Sequence, residues 1–262
     1  MTESELETER GAMPSVRIMG DYDALSRLAA DRVTEAVHRA PAGPLTVPTG
    51  ETPLGMYREL VRRVEQGDLD FSQTHVFCLD EYVGVSPEDQ GSLTRWLKQA
   101  FTDPIGLPPA NLHLLPTQAS DLDRAADAYE AEIAAQGGLA LAVVGLGQNG
   151  HIAFNEPGSE PDSPTRVVAL TPESRSQSAD YWDGQHEIPP TALTMGLGTI
   201  LAARRIVLIV SGESKADTLR RTLEEPMTSD LPASWLRLAA DRLEVIADDA
   251  AARLLSGKEF EG

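Results

Sequence analysis

Six short apolar runs recur along the chain, at residues 16–19, 45–47, 74–79, 139–145, 206–210 and 243–247. Continuous apolarity over so few residues predicts strands buried on both faces. Between the first two runs, Leu25, Leu28, Ala29, Val33, Ala36 and Val37 return at helical spacing behind Asp21, an N-cap residue, and Pro41 limits the far end. A second helix is expected to open at Pro53, where proline's missing N–H costs nothing, and to end near Gly67. A third runs from a cap at Ser120 and Asp123 to the Gly137-Gly138 pair, and a fourth covers 214–225. Alternating strands and helices predict an α/β fold with a mainly parallel, doubly wound sheet, whose ligands bind at the carboxyl ends of the strands.

Composition narrows the class. At 262 residues the chain is long for one domain, yet α/β folds often run to this length, so a single domain over 14–262 is expected. Residues 1–13 carry four glutamates and little apolar surface, which predicts a disordered acidic tail. The 41 acidic and 22 basic residues give a net charge of −19, a field that repels nucleic acid. No apolar stretch approaches the ~20 residues of a membrane helix, and the acidic start is unlike a signal peptide. With one cysteine, Cys78, inside an apolar run, these features predict a cytoplasmic protein that engages neither membrane nor nucleic acid.

Three strand-end segments carry candidate chemistry: 47–53 (VPTGETP), 79–84 (LDEYVG) and 145–158 (GLGQNGHIAFNEPG). In the first, Gly50 lies between a strand and a helix opening, where backbone N–H groups hold phosphate; a plain tight turn is the alternative. The second puts Asp80 and Glu81 where a buried strand meets solvent. Burial there raises a carboxylate's pKa toward the range of a general base, while helix capping is the other reading. The third gathers Asn149, His151, Asn155 and Glu156 within eight residues, too close for a typical zinc trio and without a cysteine. His151 with Glu156 suits a proton relay in which the carboxylate sets the imidazole tautomer. No metal and no cofactor is expected.

Assembled, these segments resemble the glucosamine-6-phosphate deaminase family, which includes 6-phosphogluconolactonase-like relatives. LDEYVG, GHIAFNEPG, ALTMGLGTIL (192–201) and SGESKA (211–216) carry the resemblance, which spans about 16–247. It implies a three-layer α/β sandwich and a sugar-phosphate substrate. It further implies Asp80 as the base at the sugar's C2, and His151, supported by Glu156 and Asn149, as the group that opens the pyranose ring. The implied substrate-binding set is Thr49, Gly50, Thr52, Glu81, Gly150 and Lys215, together with the positions of Arg175 and Asp180.

Two positions depart from the family pattern. Its phosphate loop reads TGGTP or TGSTP, whereas here Glu51 stands at the small-residue position, and its phosphate-binding arginine aligns with Asp180. Two like charges about 4 Å apart repel by roughly 4 kcal/mol at an effective dielectric of 20, so both acids cannot face a bound phosphate unneutralised. Arg166 or Arg175 is a candidate replacement cation, and Glu51 a second acid/base group near C3. Deamination of glucosamine 6-phosphate is therefore the first expectation. Dehydration of its N-acetyl form, with Glu51 as acid, is the second, and a non-catalytic sugar-phosphate binder the third. The chain stops soon after its last strand-helix unit, which points to a monomer or dimer.

Overall fold

A computed structural model describes residues 13–178 and 188–256. In chain order its strands are β1 (Ser15–Met19), β2 (Pro44–Val47), β3 (His75–Cys78), β4 (Asp80–Tyr82), β5 (Leu112–His113), β6 (Leu141–Gly145), β7 (Arg166–Ala169), β8 (Thr191–Thr194), β9 (Ile206–Val210) and β10 (Leu243–Asp248). Seven of them form one sheet in the order β1-β10-β9-β6-β2-β3-β5, parallel throughout. The six apolar runs supply β1, β2, β3, β6, β9 and β10. Every residue of β2 and β9 is buried, which is why these strands read as unbroken apolar stretches rather than alternating ones. Each fully buried Leu, Ile or Val side chain in this core stabilises the fold by roughly 1.5–3 kcal/mol, and the loops at the strand ends inherit that rigidity.

Two features depart from the sequence pattern. The run 74–79 yields β3 but leads at once into a second strand that the pattern does not show. The β3 ladder in the large sheet ends at Cys78, and after Leu79 the chain enters a separate antiparallel sheet, β4-β8-β7, in which Asp80 pairs with Thr194. The large sheet also gains β5, two residues long and too short to leave a pattern.

The helices flanking the sheet are α1 (Tyr22–Arg39), α2 (Leu54–Glu65), α3 (Leu93–Leu97), α4 (Leu122–Ala135), α5 (Pro172–Ser178), α6 (Leu197–Leu201), α7 (Ala216–Glu224) and α8 (Asp249–Ala252). Asp21 caps α1 by accepting the Ala24 N–H at 2.7 Å. The expected cap of α4 moves by one residue: Asp121, with extended backbone, accepts the Arg124 N–H, while Asp123 lies in the first turn. Helix α2 begins just after Pro53. The expected helix at 214–225 starts later, at Ala216, because Gly212 at φ 92° sends the chain first through a tight turn at Glu213–Lys215.

From β2 the chain builds outward through β3 and β5, then returns on the other side through β6, β9 and β10. The winding therefore reverses between neighbours β2 and β6, and the loops leaving their carboxyl ends part to form a crevice, as expected of such sheets.

Candidate active site

The crevice is a cavity of about 260 Å³, lined from β2 by 48–53, from β4 by Asp80 and Tyr82, from β6 by Gly145, Leu146, Gly147 and His151, and from beyond β9 by Lys215. Trp96 and Leu93 of α3 and Phe154 add an apolar wall.

At one end, Gly50 at φ 102° turns the chain from β2 toward α2. The Tyr22 hydroxyl braces this turn from α1. It accepts the Gly55 N–H at 2.8 Å and lies 3.0 Å from the Thr52 carbonyl and 3.1 Å from that of Glu51, so its one hydrogen serves those two acceptors. A Cβ on Gly55 would stand 2.1 Å from Ser26 Oγ, so α1 and α2 approach this closely only because residue 55 has none. Lys215 lines the same cavity, and burial pushes its ammonium down to about 8. The exposed side chain of Glu51 lines it too and makes no hydrogen bond among the described residues.

Asp80 is 7% exposed, and its Oδ1 is buried without a hydrogen-bond partner. Burial, with the neighbouring Glu81 charge second, raises its pKa to about 7. A carboxylate left unpaired in a low-dielectric wall is a base held ready for a proton from outside the protein.

His151 lies with its ring over Gly147, where a Cβ would meet Nε2 at 2.3 Å. Its Nδ1 lies 3.3 Å from Ser174 Oγ and 3.8 Å from Glu156 Oε2. Asn149 joins the group: its carbonyl accepts the His151 N–H at 3.1 Å, and its amide donates to Glu156 Oε2 at 2.9 Å. On its other oxygen Glu156 receives the Thr171 N–H and hydroxyl at 3.3 and 3.4 Å. Burial drives the His151 pKa down to about 4, against the pull of Glu156, so the imidazole is neutral at pH 7. Ala153, in the same loop, is the one non-glycine with positive φ among the described residues, at 52°. Asn155 anchors the loop from within, donating to the Ile152 and Met195 carbonyls and accepting from Arg166.

Residues 21–245 match the family model described as glucosamine-6-phosphate isomerases/6-phosphogluconolactonase. The chain belongs to this family. Among its members, glucosamine-6-phosphate deaminases of Cutibacterium acnes and Rhodopirellula baltica are 40% and 41% identical to it, over 94% and 92% of this chain and 94% and 95% of theirs. The solved structure of a monomeric glucosamine-6-phosphate deaminase matches with a TM-score of 0.88 at 36% identity, covering 92% of this chain and 99% of that one. A 6-phosphogluconolactonase from Trypanosoma cruzi shares the fold, with a TM-score of 0.71 at 20% identity.

Against the site implied by this family's pattern, Asp80, His151, Glu51, Thr49, Gly50, Thr52 and Lys215 meet around the cavity, while Asn149 and Glu156 stand behind His151 and outside the wall. Glu81 does not face the cavity. Adjacent residues of a strand point to opposite faces, and its carboxylate turns to the start of α3, taking the N–H groups of Tyr82, Leu93 and Thr94 and the Ser92 hydroxyl. Gly150 is also off the wall: at φ 85° it lies against Leu231, whose Cδ1 would be 2.2 Å from an added Cβ. Arg175 points away, its guanidinium donating to the Ile188 carbonyl, and Arg166 is committed to Asn155, Ser159 and Pro164. Asp180 lies outside the described residues.

Sequence reasoning missed Tyr22, Thr171 and Ser174. Tyr22 and Thr171 stand behind the wall and Ser174 lines it, and none of the three belongs to a local motif. Among the described residues no group of three His, Cys, Asp or Glu side chains could hold a metal ion, and no helix is long and apolar enough to cross a membrane.

Proposed function

We propose that this chain converts glucosamine 6-phosphate to fructose 6-phosphate and ammonia. The observation that carries the reading is the buried, unpartnered Oδ1 of Asp80 in the wall of the cavity. The deaminases named above, at 40% and 41% identity over most of both chains, support the same substrate.

With the phosphate held by the 48–53 loop and Lys215, neutral His151 takes the proton of the C1 hydroxyl as the ring C1–O5 bond breaks and O5 gains a proton, leaving an open-chain aldehyde. Glu156 and Asn149 hold the imidazole for this step. Asp80 then removes the C2 proton, and the electron pair forms a C1=C2 enolamine whose oxygen is protonated. Return of that proton to C1 gives a ketose imine. Water adds at C2, ammonia leaves, and fructose 6-phosphate remains. Asp80→Asn keeps the shape and removes the base. Turnover is expected to fall by about 10³-fold or more, and C2 hydrogen exchange in deuterated water to vanish with it. Undiminished turnover in that variant would overturn the reading.

Glu51 favours a second reading. An unengaged carboxyl group in the same wall can serve as acid for a C3 hydroxyl, so an N-acetylated substrate, whose amide nitrogen resists loss, would lose water after the same C2 proton transfer. Incubation with glucosamine 6-phosphate and with its N-acetyl form separates the two. Ammonia from the first alone supports deamination, and an unsaturated sugar from the second supports dehydration.

A further inference from the structure

Lys215, the one lysine lining the cavity among the described residues, reaches it from a turn that follows β9. The Ser211–Gly212 link leaves β9, Gly212 adopts φ 92°, and the single turn Glu213–Lys215 follows. The Lys215 N–H bond to the Gly212 carbonyl, at 3.1 Å, and the Ala216 N–H bond to the Glu213 carbonyl close that turn on itself. A carboxylate from the neighbouring strand ties its entry to the sheet. Asp248, 6% exposed at the end of β10, accepts the Ser211 hydroxyl at 2.5 Å on Oδ2 and the Gly212 N–H at 3.1 Å on both oxygens. Its Oδ1 also accepts the Ala251 N–H at 2.8 Å and so caps α8. Arg253, just past α8, pairs with Glu213 of the turn. A single buried carboxylate thus ties the lysine's turn, the end of β10 and the start of α8 into one unit.

We propose that Asp248 is a positioning residue for anion binding, acting through Lys215. It forms no part of the cavity wall, and the three donors it accepts from are a hydroxyl and two backbone N–H groups. A group needed only to cap the four-residue α8 requires one acceptor oxygen. Here both oxygens also engage the lysine's turn. An ammonium on a flexible stem binds an anion well only when its backbone is held, because ordering that backbone at the moment of binding would weaken the complex.

The proposal rests on the sugar-phosphate reading, and its test separates the two. In Asp248→Ala, KM for glucosamine 6-phosphate is expected to rise about 10-fold with kcat within about 3-fold of the parent, since chemistry at C1 and C2 does not involve the turn. Inorganic phosphate, titrated calorimetrically, is expected to lose affinity in the same proportion. Asp248→Asn, which keeps an acceptor for the backbone N–H groups, recovers most of it. Ser211→Ala, which leaves the α8 cap intact, gives a smaller rise of about 3-fold and serves should the alanine variant at 248 fail to fold. In a Lys215→Ala background, Asp248→Ala is expected to add nothing further to KM, because a residue acting through another is non-additive with it. Unchanged KM and phosphate affinity in folded Asp248→Ala and Ser211→Ala, or additive losses in the double variant, would overturn the proposal while leaving the function in place. Weakened phosphate binding in these variants, with no turnover by the parent enzyme, would instead overturn the assigned substrate and leave the role of Asp248 standing.

Discussion

Asp80 and Glu81 are chemically near-identical neighbours with opposite fates, decided by the two-residue period of a strand. One side chain enters the cavity without a partner; the other receives four donors and becomes part of the scaffold. The sequence shows a pair of carboxylates at a strand end but not which of them faces inward, because β4 is three residues long and lacks an alternating pattern to set its phase. The same burial that leaves Asp80 unpaired sets the acid limb of activity. A base works when ionised, and with its pKa raised to about 7 the rise in kcat/KM is expected near pH 7 instead of near pH 4. Lys215, lowered to about 8, loses its charge above that pH and phosphate binding weakens. His151, at about 4, stays neutral across the whole range. The expected profile of kcat/KM is a narrow bell peaking between pH 7 and 8. Its acid limb is absent if the Asp80 carboxyl titrates in the ordinary carboxylate range.

Among the elements, those the chain spells out in apolar runs are, apart from the edge strand β1, the ones buried on both faces, and their boundaries fall within about two residues of the pattern. The small antiparallel sheet escapes it: β7 is only partly buried, β4 is short, and β4 pairs with β8 more than a hundred residues further along the chain. Functional loops divide in the same way. Gly50 and His151 are visible because they sit in strand-end segments, whereas Tyr22 opens a helix in an otherwise ordinary amphipathic stretch. Yet Tyr22 supplies the hydroxyl that fixes the Glu51 and Thr52 carbonyls and the Gly55 N–H at the start of α2. Tyr22→Phe removes that hydroxyl and little volume. It is expected to destabilise the fold by about 1–3 kcal/mol, as a part-buried N–H and carbonyls lose a partner, and to raise KM more than it lowers kcat. Thermal unfolding alongside steady-state kinetics checks both. An unchanged KM would remove the loop from the anion site.

For the molecule as a whole, the net charge of −19 opposes the approach of a sugar phosphate, while among the described residues Lys215 is the one lysine or arginine that lines the cavity. Raising ionic strength from about 0.01 M to about 0.15 M shortens the screening length from about 30 Å to about 8 Å, which silences distant surface acids before the buried lysine. kcat/KM is therefore expected to increase with salt over that range at constant kcat. A steady decrease would show that local attraction outweighs the global field. The architecture has a last consequence at the single residue where the chain changes sheets. The 48–53 loop and His151 follow strands of the large sheet, whereas Asp80 belongs to the small one, and Leu79 is the seam, its carbonyl fastened to the Met195 N–H at 2.8 Å. Under the proposed function the two sheets are the jaws of a caliper, one closing on the phosphate and the other on the α-carbon. An amino-sugar phosphate one carbon shorter would still anchor by its phosphate, with its α-carbon stranded short of the opposite jaw.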